Sequence, residues 1–77
     1  MVLDLRKMEV GEKSLKIIKN SNIGILKQRF MDMGITKGVI VKIIKIAPLG
    51  DPIEIGIRGY NLSIRKNDAK KIEVEEV

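Results

Sequence analysis

Apolar side chains recur at two different periods along this chain, and the switches between them mark out its elements. From Ser14 to Lys19, Leu15 and Ile17 fall on one face and Ile18 on the other, an imperfect strand-like alternation. Asn20-Ser21-Asn22 breaks it. The apolar residues that follow, Ile23, Leu26, Phe30 and Met33, are spaced at helical period, and any of the three preceding polar residues can cap that helix by accepting a bond from a free backbone N–H. Gly34 stands where a helix ends on a left-handed C′ residue. Ile35 is then C″ and Phe30 is C3, the apolar pair that accompanies a Schellman motif.

Thr36-Lys37-Gly38 turns the chain into a strand over 39–46, with Val39, Val41 and Ile43 on one face and Ile40, Ile44 and Ile46 on the other. A strand apolar on both faces suits one that bends across a small closed sheet or is covered by another element. Further on, Ile53, Ile55 and Ile57 alternate with Glu54, Gly56 and Arg58, so one face is buried and the other wet. Gly56 inside that strand signals a bend or a close approach of another backbone. Gly59-Tyr60 fits a hairpin turn leading to an alternating strand over 61–65. The run Lys66 to Lys70 is long enough only for a helical turn, and Ile72 and Val74 alternate with Glu73 and Glu75 in a last strand. Upstream, Leu3, Leu5 and Met8 precede Val10-Gly11-Glu12-Lys13, where Gly11 reads as a turn.

Between the second and third of these strands lies Ala47-Pro48-Leu49-Gly50-Asp51-Pro52, in which nothing can continue a strand. Each proline fixes its own φ and pushes the residue before it into extended geometry. Gly50 supplies a positive φ and Asp51 a carboxylate that can cap its own turn. The segment is therefore a shaped, stiff turn with a large apolar residue, Leu49, at its tip. Five short strands and one helix between the first and second of them fit a mainly β fold, a small five-stranded SH3-like barrel, because parallel crossovers would need more helices. Closure would also remove the edges that isoleucine-rich strands otherwise expose.

A chain of 77 residues is expected to form one domain over 1–77. With neither Cys nor His it has no disulfides, no imidazole or thiolate metal ligands and not the commonest general base, so an enzyme is not expected. No signal peptide or membrane span is legible, which points to the cytoplasm. The net charge of +5 invites a nucleic-acid reading. Its size is ordinary for a soluble small domain, however, its lysines are dispersed, and only Phe30 and Tyr60 could stack on bases, so no nucleic acid is expected.

The run Arg29-Phe30-Met31-Asp32-Met33-Gly34-Ile35 with Gly38, then Ala47 to Pro52, then Leu62-Ser63-Ile64-Arg65 with Asp68-Ala69 and Ile72, resembles the FeoA family of ferrous-iron uptake components. Leu5, Met8 and Gly11 agree in spacing. Phe30 and Met33 stand where leucine is usual, and Ser63 where alanine is usual. The resemblance implies an SH3-like fold and an accessory role to the membrane permease FeoB, whose cytosolic part carries a GTPase domain; the domain would sit in the cytoplasm, peripheral to the membrane through that permease. Similar domains form the C-terminal part of iron-dependent repressors, where they bind protein or metal, so a transition-metal-binding regulatory domain is the alternative. No helix-turn-helix precedes the barrel, which argues against a free-standing repressor.

For partner binding the expected residues are Arg29, Pro48, Leu49, Gly50, Asp51 and Pro52. A stiff loop with an apolar tip lowers the ordering cost of docking. Arg29 has a structural alternative in pairing with Asp32. A GTPase-activating role would ask for an arginine finger, and spacing does not single out Arg29, Arg58 or Arg65. Of the carboxylates, Asp32, Asp51, Glu54 and Asp68 lie on separate elements; ferrous iron favours imidazole or thiolate, so no cofactor and only weak divalent-metal binding are expected. Self-association is left open.

Overall fold

Period-two isoleucine strands need a second surface to bury their apolar face, and here the sheet supplies it by curling on itself. The computed structural model describes residues 2–11 and 13–77. Its strands are β1 (Val2–Asp4), β2 (Leu15–Asn20), β3 (Ile40–Ile46), β4 (Ile53–Ile57), β5 (Tyr60–Ile64) and β6 (Ile72–Glu76). A 3₁₀ turn covers Leu5–Lys7, helix α1 covers Gly24–Asp32, and a short helix α2 covers Lys66–Ala69. The six strands form one antiparallel sheet in the order β1-β6-β2-β3-β4-β5.

Two expectations are corrected here. There are six strands, not five, because Val2–Asp4 pairs with β6, setting Leu3 opposite Val74. The helix therefore lies between the second and third strands. The ladder also runs from β1 to β5 without a pairing between those two among the described residues, so the sheet is open and not a closed barrel. Three residues are too few to display a period, which is why β1 escapes a pattern search. Of the turn expected at Val10–Lys13, Gly11 is a bend whose N–H donates to the Ile43 carbonyl at 3.2 Å, and Glu12 lies outside the described residues.

The core follows the alternation. Val41 sits opposite Ile57 and Ile43 opposite Ile55, and all four are buried. Leu5, Leu15, Ile17, Phe30, Ile35, Ile64, Ala69, Ile72 and Val74 complete the cluster with Val39 and Ile53. β3 is apolar on both faces for a specific reason: its register shifts between Ile43 and Lys45, so Ile46 comes to pair with Ile53 and packs against the core, while Ile40 and Ile44 stay outside. A bulge inserts one residue and so changes the face of everything beyond it. β2 does the same between Ile17 and Lys19, leaving Ile18 as the extra residue, half-buried.

The helix ends as its sequence dictates. The Ile35 N–H donates to the Phe30 carbonyl at 2.9 Å and the Gly34 N–H to the Met31 carbonyl at 3.0 Å, with Gly34 at φ +94°, which are the two bonds of a Schellman motif. Its start is different. Ile23 is the N-cap without a side-chain cap bond, and it is exposed instead of joining the buried stripe. The polar residues before it have other work: Oδ1 of Asn20 accepts both the backbone N–H of Asn22 at 3.0 Å and its Nδ2 at 2.8 Å. The β4–β5 turn is also moved by one residue, to Arg58 and Gly59, at φ +47° and +87°. Tyr60 is consequently the first residue of β5, opposite Ile57, and not a turn residue.

Candidate functional site

Two backbone bonds give the loop between β3 and β4 its shape. At the neck the Ala47 N–H donates to the Pro52 carbonyl at 3.1 Å. Inside it, the Gly50 N–H donates to the Ala47 carbonyl at 2.7 Å, closing a β-turn with Pro48 and Leu49 at its centre, where proline's fixed φ suits the first central position. Gly50 follows at φ +83°. Leu49 is 91% exposed at the tip, flanked by exposed Pro48, Asp51 and Pro52.

Asp51 does not cap its own turn. Its Oδ1 accepts the backbone N–H of Lys66 at 3.0 Å, which satisfies one of the free N–H groups at the start of α2. The N-cap of that helix, Arg65, provides no side-chain bond of its own. At its other end α2 is held by Asn22, whose Nδ2 donates to the Asp68 carbonyl at 3.2 Å, and by the Ser21 N–H on the Lys71 carbonyl at 2.8 Å. Ala69 between them is fully buried. The loop is thus braced against an element that is itself pinned to the core.

Arg29 lies apart from this loop, on the exposed side of α1. The expected pairing with Asp32 is not formed: Oδ1 of Asp32 accepts from Nε2 of Gln28 at 2.9 Å, one helical turn earlier. No hydrogen bond or ion pair among the described residues joins Arg29 to residues 47–52. The loop residues share one turn, and Arg29 stands on a different element with no bond to them. Arg58 occupies the β4–β5 turn and Arg65 precedes α2, so the three arginines stand on three separate elements.

The carboxylates are similarly dispersed and engaged. Asp51 caps α2, Asp32 takes the Gln28 amide, and Oε2 of Glu54 accepts from Nδ2 of Asn61 at 3.1 Å. Among the described residues no three Asp, Glu, His or Cys side chains gather into a set that could hold a metal ion. Among them, too, no helix is long and apolar enough to cross a membrane. What sequence reasoning missed is surface, not chemistry. Ile23 and Ile25 are 80% and 75% exposed at the start of α1, and Ile40 and Ile44 are exposed on the outer face of β3, with Ile44 lying over Gly56 of β4. A Cβ at Gly56 would come within 3.0 Å of Cδ1 of Ile44, so the close approach anticipated there is by a side chain and not by a backbone.

Comparison with known proteins bears on what this arrangement serves. Over 71 residues the chain is 35% identical to the "Fe(2+) transport protein A/Fe(2+) transporter FeoB fusion protein" of Porphyromonas gingivalis, covering 92% of this chain and 8% of that protein. The chain therefore spans less than a tenth of that relative's length, as its 8% coverage states. A solved structure of an FeoA-like protein from Clostridium acetobutylicum is 38% identical and superposes with a TM-score of 0.84, over 99% of this chain and 87% of that one. The zinc complex of Stenotrophomonas maltophilia FeoA, described as a procaryotic SH3 domain protein, is 18% identical with a TM-score of 0.80, over 95% and 89% of the two chains, and shows the fold. Residues 4–76 match the model of the FeoA domain, and the chain belongs to the FeoA family.

Proposed function

We propose that this domain is a cytoplasmic accessory module of ferrous-iron uptake that docks, through the 47–52 loop, on a FeoB-type permease carrying a GTPase domain. The observation that carries the docking surface is Leu49, 91% exposed at the tip of a turn that two backbone bonds and the Asp51–Lys66 contact hold in shape. An aliphatic side chain in water on a stiff support contributes its burial energy on contact without a large ordering cost. The choice of partner is supported by the Porphyromonas relative, whose name joins the two activities in one polypeptide. Linking two modules raises their effective concentration and so favours even a weak contact. Arg29, exposed on α1, serves as a peripheral electrostatic contact. The domain works without a resident metal, since its carboxylates are spread over separate elements and Asp32, Asp51 and Glu54 are engaged elsewhere.

The test is capture of the detergent-solubilised permease by the tagged domain. Leu49→Asp is expected to weaken capture and reduce iron uptake while leaving the melting temperature unchanged, because a lone carboxylate at an apolar contact is costly to bury. Undiminished capture by that variant would move the interface elsewhere.

A further inference from the structure

On the side of the molecule where α1 passes β2, a groove of about 520 Å³ has no role in docking through Leu49. Its apolar lining is Ile18, the bulge residue of β2, with Met31 of α1 and the buried Ile35 beyond the helix cap, beside Asn20, whose buried Nδ2 has no partner among the described residues. Three lysines, Lys19, Lys27 and Lys37, also line it, against a single carboxylate residue, Glu73. Lys27 and Met31 are four residues apart and so share one face of the helix. Lys19 stands opposite Glu73 in the β2–β6 pairing, and neither these two side chains nor Lys27 and Lys37 form a hydrogen bond or a close ion pair among the described residues.

We propose that this groove binds an acidic peptide segment carrying one apolar anchor side chain. The lysines come from three different segments and outnumber the one carboxylate, which faces Lys19 alone, so they complement several carboxylates distributed along a chain, where a fatty-acid headgroup would offer one. The apolar lining takes the anchor, and Met31, unbranched and half in water, adapts to its shape. Glu73 repels acidic groups from its own side and sets the direction in which they lie. RNA fits less well, because neither Phe30, which is buried, nor Tyr60, on β5, lines the groove to stack a base.

The experiment is an amide NMR titration of the full chain with a short peptide holding one leucine between runs of glutamate. Saturable shifts are expected at Ile18, Met31 and Thr36, with binding about tenfold weaker when serine replaces the leucine and absent when lysines replace the glutamates. Lys27→Glu and, independently, Lys37→Glu should each weaken binding about fivefold and flatten its salt dependence, as exposed charge contacts do. Leu49→Asp should bind the peptide like the unmodified chain, which separates this surface from the docking loop. Shifts that do not saturate, equal binding of the lysine peptide, or saturation at these amides by dodecanoate or an RNA oligonucleotide but not by the acidic peptide would overturn the proposal.

Discussion

Leu49 and Ile43 are both aliphatic residues of the β3 region, yet one is 91% exposed and the other 1%. Truncating a buried isoleucine costs roughly 2 to 5 kcal/mol, whereas a surface change stays within about 0.5. In a domain of this size each kcal/mol moves the melting midpoint by roughly 4 to 8 °C. Ile43→Ala is therefore expected to lower the midpoint plainly and Leu49→Ala to leave it in place, as calorimetry or circular dichroism would read. Gly34 is the other residue at which one atom matters. Its φ of +94° is strained for any side chain, and a Cβ there would stand 3.4 Å from the Tyr60 hydroxyl oxygen, tight against a residue the pattern reading had put in a turn. Gly34→Ala should cost about 1 to 2 kcal/mol; an unchanged melting temperature would show that the Schellman end relaxes.

At the scale of elements, α2 is too short to stand by itself and is held by what surrounds it. Asn22 is 1% exposed, and its amide bridges Asn20 to the Asp68 carbonyl. Asn22→Ala would take its donor from the Asp68 carbonyl and leave Oδ1 of Asn20 with the backbone N–H alone, and should destabilise by roughly 1 to 3 kcal/mol, whereas Asp51→Ala, at an exposed cap, should cost about 0.5 to 1. Urea titration of the two variants would show the difference. This arrangement also explains what the sequence could and could not display. Period and glycine placement revealed the alternation of β4, the extent of β3 and the C-terminus of α1, since those depend on neighbours in the chain. The long-range roles of Asn22 and Asp51 could not be read, because each partner lies many residues away and any polar residue before a helix looks like a cap. That Leu49 tips a shaped turn was legible; that it faces water instead of folding back onto the core, and that the loop is braced by α2, was not. The α1–β2 groove gave no local signal at all, being assembled from a bulge, a helix face and a strand made at the far end of the sequence.

For the whole molecule, the spread of carboxylates makes a firm expectation: ferrous, zinc or manganese ions should bind no tighter than about millimolar, and a stoichiometric micromolar site by calorimetry would contradict it. The sheet order has a consequence for how the domain comes into being. β2, β3, β4 and β5 are consecutive strands and adjacent in space, but β6 lies between β1 and β2, so β1 waits for the last strand and β2 has one edge unpaired until then. Pairing of distant segments closes a long loop before any contact repays it. On the ribosome, then, β2 can pair with β3 and the central meander can assemble while β1 and the Leu5 turn still lack their partner, and these dock only once residues 72–76 have emerged. Substitutions in β4, such as Ile55→Val, should accordingly slow folding, while Leu5→Ala and Val74→Ala should mainly speed unfolding in a chevron analysis. The surface that carries Leu49 would be shaped early, and the groove beside α1, which needs Glu73 from β6, would exist only in the finished domain.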